Sequence, residues 1–175
     1  MPAPQVPIDV EAETGIWRTD GLPMLYVPRH FLANLLRDTE AALGRDAFRA
    51  MLFGSAETSA RQWCAAEQRT HGLSAIDTFR HYLKRLSQRG YGQFEITALD
   101  ATAGTATVVV RHSAFALANP GAGRPVCAMF EGSFAGGLRH VLADAGQDRP
   151  VTCEEVACLA AGAPECVFTL RSARV

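Results

Sequence analysis

Apolar residues recur every three to four positions over roughly residues 28–89, a spacing that predicts three helices before any clear strand. Helix one is expected over 28–44, with a proline in its first turn and a glycine at its end. Helix two is expected over 45–71 and helix three over 74–89, which opens with a Ser-x-x-Asp variant of the capping box. Before them, the turn signal Asp20-Gly21 predicts a short hairpin or two extended pieces.

Beyond these helices the apolar period changes to two. Residues 91–98 and 105–110 are predicted to form an antiparallel pair of strands. Residues 126–143 return to helical spacing, and residues 151–157 and 166–170 are expected to form a final hairpin. This order predicts an α+β fold in which N-terminal helices pack on an antiparallel sheet.

The composition is that of one compact domain. The chain has 175 residues, of which 48% are hydrophobic, and we expect a loose tail over residues 1–14 before a single domain over residues 15–175. The net charge of -1 argues against a nucleic-acid or membrane-surface partner. The sequence has neither a secretory leader pattern nor an apolar run long enough to cross a bilayer, so we expect a cytoplasmic protein.

Cysteines concentrate near the C-terminus. Disulfides are rare in a reducing compartment, so these thiols are predicted to be buried core groups, metal ligands or reactive groups. A zinc ion takes four ligands, and both thiolates and carboxylates qualify. The spacing of Cys127, Glu155-Val-Ala-Cys158 and Cys166, with Cys153 nearby, suits such a site, while simple burial of small apolar cysteines is the alternative.

Two segments carry a family resemblance. The run Arg124-Pro-Val-Cys-Ala-Met-Phe-Glu-Gly-Ser-Phe-Ala-Gly136, together with Glu155-Val-Ala-Cys158 and the ending Gly162-Ala-Pro-Glu-Cys-Val-Phe168, resembles the vinyl-4-reductase domain over about residues 92–172. Related domains are the ligand sensors of aromatic-responsive transcription activators, and the fold is similar to that of the TRAPP transport subunits. The resemblance implies a small-molecule-binding α+β domain that is often dimeric.

The resemblance also implies a zinc site. In the phenol-sensing relatives the metal is held by a cysteine at the start of the C-terminal helix, the glutamate and cysteine of E-x-x-C, and a cysteine eight residues further on. Those roles fall on Cys127, Glu155, Cys158 and Cys166. Cys153 alternates onto the same strand face as Glu155, so a four-cysteine site with Cys153 in its place stays open.

A ligand pocket is expected between the strands of residues 91–118 and helices two and three. In the sensors the ligand lies near the strand before the first metal cysteine, which points to Val110, His112 and Phe115. Trp63 from helix two is a further candidate for a polar contact. Such a pocket suits a small hydrophobic or aromatic ligand.

We also expect a homodimer, because the three helices present more apolar surface than one sheet face can cover. Leu32, Leu35 and Leu36 are the candidate interface residues. The favoured function is a small-molecule binding, carrier or sensor domain with a structural zinc. The alternatives are a 4-vinyl-reductase-like enzyme component and a protein-assembly adaptor. A dinucleotide fingerprint, a P-loop and the common hydrolase motifs are all missing from the sequence, which does not favour an enzyme.

Overall fold

The N-terminal segment forms a small antiparallel sheet. The computed structural model describes residues 6–173, and in it β1 (Asp9–Val10), β2 (Trp17–Thr19) and β3 (Leu22–Met24) are arranged in that order. The hairpin predicted around Asp20-Gly21 joins β2 to β3, with Thr19 opposite Leu22. The expected loose tail begins with residues 1–5, which lie outside the described residues. Its later part includes β1, where Val10 pairs with Trp17.

Three helices follow, as the spacing predicts. They are α1 (Arg29–Leu43), α2 (Arg45–His71) and α3 (Ala75–Gln88). The Ser74 hydroxyl accepts a hydrogen bond from the Asp77 backbone N–H at 3.1 Å, so it caps α3 as its position in the sequence suggested. No residue of α1 is buried, which leaves this helix lying on the surface of α2.

A four-stranded antiparallel sheet completes the α+β fold that the sequence predicted. Its strands are β4 (Gln93–Asp100), β5 (Thr105–Arg111), β6 (Val151–Ala157) and β7 (Cys166–Ser172), in the order β4-β5-β7-β6. A short helix that the sequence analysis missed, α4 (Ala114–Ala118), follows β5. The Ser113 hydroxyl caps α4 by accepting from the Ala116 N–H at 3.3 Å.

The last helix, α5 (Ala128–Asp144), is the centre of the molecule. It packs against α2 on one side and against β6 and β7 on the other. Glycines make the approach to α2 possible, since a Cβ on Gly136 would lie 2.5 Å from the Glu57 carbonyl oxygen. On the sheet side Phe130 and Phe134 are fully buried, and Phe134 meets Phe168 of β7 edge to face at 4.9 Å between ring centroids.

The position of α5 changes the predicted pocket. The sequence analysis expected a ligand site between the strands and helices two and three, but α5 fills the space between the sheet and α2. Among the described residues, no helix is both long and apolar enough to span a membrane.

Candidate metal centre and adjoining cleft

Four buried side chains converge at the N-terminal end of α5. Cys127 immediately precedes α5, Glu155 lies on β6, Cys158 follows β6, and Cys166 begins β7. One ligand atom from each of the four lies within 4.8 Å of the others. These are the residues that the family resemblance implied, and the folded chain brings them together from three elements.

The spacing of the sulfurs suits a tetrahedral metal ion. The Cys127 and Cys166 sulfurs are 3.9 Å apart, and so are those of Cys158 and Cys166. Zinc–sulfur bonds of about 2.3 Å at tetrahedral angles place two sulfurs about 3.8 Å apart. The cluster could therefore hold a metal ion with little movement of its sulfurs.

Local backbone features give the cluster its shape. The pairing of β6 with β7 shifts register between Glu155 and Ala157, and this irregularity lies just before Cys158. Gly162, with φ at 94°, closes the turn that returns the chain to Cys166. The Leu159 N–H donates to the Cys166 sulfur at 3.4 Å, a contact typical of loops that hold a thiolate.

The thiols of the cluster differ in acidity. A hydrogen bond with Cys127 lowers the pKa of Cys166, while the same bond and burial raise the pKa of Cys127. Burial raises the pKa of Cys158 to about 11, and the nearby Glu155 carboxylate adds to this effect. Cys166 is thus the most acidic of these three thiols, and a bound metal ion would favour deprotonation of all three.

Glu155 has one carboxylate oxygen free for a ligand. Its Oε2 accepts a hydrogen bond from the Cys127 backbone N–H at 2.9 Å. Its Oε1 is buried and has no hydrogen-bond partner among the described residues. A buried carboxylate oxygen without a partner is costly unless something binds it. The cluster thus has an acceptor atom in need of a cation or a donor.

Cys153 and Cys64 lie outside this cluster. Cys153 is two residues before Glu155 on β6 and is not among the residues whose ligand atoms approach one another. The four-cysteine alternative therefore lacks support from the geometry. Cys64 is fully buried in α2, and burial raises its pKa to about 12, as expected for an unreactive core thiol.

A buried acid that the sequence analysis missed, Glu131, binds the backbone of the cluster residue Glu155. Glu131 of α5 accepts a hydrogen bond from the Glu155 backbone N–H at 3.1 Å. Its two oxygens also accept from the Arg49 guanidinium of α2, at 2.8 and 2.9 Å. Burial raises the pKa of Glu131, and Arg49 opposes that shift. An acid within the apolar stripe of a predicted helix was the signal available in the sequence.

The predicted ligand residues are dispersed. Val110 is fully buried in β5, and Trp63 is buried in α2, where it stacks on His81 with 5.7 Å between ring centroids. His112 is exposed, with a left-handed φ of 55°, at the end of β5. Phe115 is buried in α4. The four side chains thus lie on or next to three different elements and at different depths, and their role in ligand binding stays a prediction.

Of those four residues, Phe115 does line a cleft, which lies beside the first turn of α5. This cleft, of about 90 Å³, lies between α1, α2, α4 and the segment that leads into α5. Both apolar and polar side chains line it. The apolar ones include Leu36, Phe48, Leu52, Phe115, Val126 and Met129, and the polar ones are Arg37, Glu40, Arg49, Asn119 and Arg124. Arg124 pairs with Glu40 at 2.9 Å, and Arg49 pairs with Glu131 as described above.

Two segments of the chain match known protein families. Residues 2–97, more than half of the chain, match the family described as a domain of unknown function, DUF5943. Residues 107–172 match the vinyl-4-reductase domain. The chain belongs to the DUF5943 family and carries a vinyl-4-reductase domain. The resemblance found in the sequence is thus confirmed. No curated protein matches the chain in sequence.

Three solved structures share this fold at low sequence identity. The phenol-responsive sensory domain of the transcription activator PoxR, solved with phenol, has a TM-score of 0.78 and 15% identity, covering 94% of this chain and 84% of that chain. A trafficking protein particle complex subunit 3 from Naegleria fowleri, covalently bound to palmitic acid, has a TM-score of 0.55 and 16% identity, covering 83% and 95%. A vinyl-4-reductase family protein from Methanocaldococcus jannaschii has a TM-score of 0.55 and 14% identity, covering 86% and 85%.

The cysteine cluster lies within one of the two family matches, and the cleft is lined by residues of both. All four residues of the cysteine cluster fall within the vinyl-4-reductase domain, as does Glu131. The helices α1 and α2, which form one side of the cleft, fall within the DUF5943 match. The cleft therefore lies where the two parts of the chain meet, and the Arg49–Glu131 ion pair crosses the same boundary.

Proposed function

We propose that this protein is a small-molecule binding domain, of the sensor or carrier kind, with a structural zinc ion in its vinyl-4-reductase domain. The observation that carries the proposal is the connection between cleft and cluster. Arg49 lines the cleft and holds Glu131, and Glu131 accepts from the backbone of the zinc candidate ligand Glu155. A ligand that moved Arg49 would thus act on the cluster through two hydrogen bonds.

The zinc part of the proposal rests on the donor set. Three thiols and one carboxylate, all buried, leave no obvious position for a substrate, which is typical of structural rather than catalytic zinc. Cys127, Glu155, Cys158 and Cys166 would hold the ion and tie the start of α5 to the hairpin of β6 and β7. The ion would also provide a partner for the buried Glu155 Oε1.

The ligand part rests on the cleft. Its lining combines apolar side chains with charged and polar ones, a combination that suits a small aromatic molecule carrying a polar group. The Asn119 side chain and the lining arginines offer hydrogen-bond donors for a hydroxyl or carboxylate group of that molecule. Similarity of fold to the phenol-responsive domain makes a phenolic compound a sensible first probe.

A filling substitution tests the cleft without opening a cavity in the core. Ala33 lines the cleft from α1, and Ala41 lies exposed further along the same helix. We expect Ala33→Phe to weaken binding of phenol at least tenfold in calorimetric titration, while Ala41→Phe leaves it unchanged. Equal phenol affinity in the two variants would contradict the proposed site, and no phenol binding by the unmodified protein would exclude phenol as a ligand.

Metal analysis tests the zinc. Protein purified without chelator is expected to contain one zinc bound by the cysteine cluster, and Cys158→Ser should lower both that zinc content and the melting temperature. Cys153→Ser is the matched control, because Cys153 lies on β6 outside the cluster. A zinc content of the Cys158→Ser protein equal to that of the unmodified protein, or an equal loss of zinc from the control, would refute the assignment.

A homodimer is the second part of the proposal. Six large apolar side chains are exposed on α1 and the segment before it, namely Leu25, Tyr26, Val27, Phe31, Leu35 and Leu43. Leu32 and Leu36 are half-buried beside them, so the apolar surface is continuous with the core. An apolar patch of this size is typical of an interface between proteins. We infer that a second copy of the chain covers it through a symmetric contact.

A further inference from the structure

A second cluster of metal-ligating side chains lies outside the vinyl-4-reductase domain. Asp20 is in the turn between β2 and β3, Glu67 and His71 are one helical turn apart on α2, and His81 is on α3. One ligand atom from each lies within 4.8 Å of the others. All four residues fall within the DUF5943 match, so this cluster is independent of the cysteine cluster.

The distances within the cluster suit coordination of one ion. Glu67 Oε2 is 3.1 Å from His81 Nε2 and 3.2 Å from His71 Nε2. His71 Nε2 is also 3.6 Å from Asp20 Oδ1. Nitrogen and oxygen ligands bound at about 2.0–2.2 Å in a tetrahedron lie about 3.3–3.6 Å apart. The four groups therefore already have nearly the separations that one small cation would impose.

Hydrogen bonding inside the cluster does not satisfy its buried oxygens. The Glu67 side chain is fully buried, yet its Oε1 has no hydrogen-bond partner among the described residues. Asp20 Oδ1 accepts from Arg85 at 2.7 Å, which leaves the buried Oδ2 without a partner as well. An unsatisfied buried carboxylate oxygen costs free energy, and a cation in the cluster would remove that cost at both residues.

Neighbouring side chains hold the ligands in place. The His81 ring stacks on Trp63, which fixes its orientation, and Arg85 fixes one oxygen of Asp20. Such supporting contacts are common around metal ligands. His71 is about one-third exposed, so it gives the otherwise buried cluster an opening to solvent through which an ion can enter.

We propose that Asp20, Glu67, His71 and His81 bind a divalent transition-metal ion. Two imidazoles and two carboxylates form a borderline ligand set, which suits zinc or a similar first-row ion better than calcium or magnesium. One guanidinium, that of Arg85, pairs with Asp20, so the combined charge of the two carboxylates when ionised leaves room for the charge of the ion. By binding Asp20 together with residues of α2 and α3, the ion would stabilise the packing of the N-terminal hairpin on these helices.

The test compares metal binding in the full chain and in matched variants. The unmodified protein, first stripped of metal, is expected to bind two equivalents of Co²⁺, one at each cluster. Binding at the cysteine cluster should produce the strong near-ultraviolet absorption of cobalt–thiolate bonds, and binding at the second cluster should not. His71→Gln is the test variant, because this partly exposed residue can be changed with little effect on folding. His140→Gln, at a half-buried histidine of α5 outside both clusters, is the control.

The expected result is a selective loss. His71→Gln should weaken the binding that lacks thiolate absorption by at least tenfold and leave the thiolate signal intact, whereas His140→Gln should change neither. Cys158→Ser should have the converse effect, removing the thiolate signal while the second equivalent still binds. The proposal is overturned if the unmodified protein binds a single equivalent with thiolate absorption, or if His71→Gln binds cobalt as the control does.

Discussion

Because α5 packs closely on α2, we expect a glycine-to-alanine substitution to stabilise the protein at Gly54 and to destabilise it at Gly136. Gly54 lies exposed within α2, and an added Cβ would meet no atom within 4 Å. Alanine favours a helix over glycine by about 0.5–1 kcal/mol, so Gly54→Ala should stabilise the protein by that amount. At Gly136 the same gain is opposed by contacts of 2.5 Å with the Glu57 carbonyl oxygen and 2.8 Å with the Ala60 Cβ.

Overpacking of this kind costs about 1–3 kcal/mol, and a cost near the upper end is expected here because backbone atoms cannot rotate away. Subtracting the helical gain leaves Gly136→Ala destabilised by about 2 kcal/mol. At about 2–4 °C per kcal/mol for a chain of this size, the melting temperature should fall by about 4–8 °C in that variant and rise by about 1–4 °C in Gly54→Ala. Thermal and urea denaturation measure both. If Gly136→Ala were as stable as Gly54→Ala, the helices would not be as close as described.

Three further predictions concern single contacts. Arg49→Met leaves the buried Glu131 carboxylate without its cation and should destabilise the protein by about 1–2 kcal/mol in urea denaturation. This loss is smaller than for a fully buried pair because Arg49 is about one-third exposed, and an unchanged midpoint would refute it. Leu35→Arg should lower the mass measured by light scattering to that of one chain. Val156→Arg, at an equally exposed site on β6, should keep the mass of a dimer, and the mass of one chain for the unmodified protein would exclude the dimer. Ser74→Ala should cost about 1 kcal/mol by removing the cap of α3, and no loss of stability would show that water replaces it.

The helices and strands were predictable because their signals are local. The spacing of apolar residues, the glycines at helix ends and the Ser74 cap place α1, α2 and α3 within a few residues of their observed bounds. The short helix α4 was missed because it has only five residues and only two residues separate it from a buried strand. A segment this short has too few positions to show a helical period.

The sequence could not place the ligand pocket for a different reason. The Val108–Val110 run correctly indicated a strand buried on both faces, but such a run does not specify the neighbour that buries it. The missed signal was in α5, whose residues 128–138 include a single charged side chain, Glu131, and carry Gly132 and Gly136 one turn apart. A helix of that kind is expected at the centre of a domain, and recognising it would have placed α5 between the sheet and α2.

The two candidate metal clusters show why one was visible in the sequence and the other was not. Cys127, Glu155, Cys158 and Cys166 lie within 40 consecutive residues and match a family pattern, so resemblance could name them before the fold was known. In the second cluster only Glu67 and His71 have a recognisable helical spacing, which is also common on solvated helix faces. Glu67 and His71 differ from such surface pairs because Asp20 and His81 lie beside them. Asp20 precedes Glu67 by 47 residues, and the N-terminal hairpin brings it to the cluster, while His81 comes from α3. Because that convergence depends on how the hairpin packs on α2 and α3, removing the ion should loosen the hairpin first, before the sheet and α5 are affected.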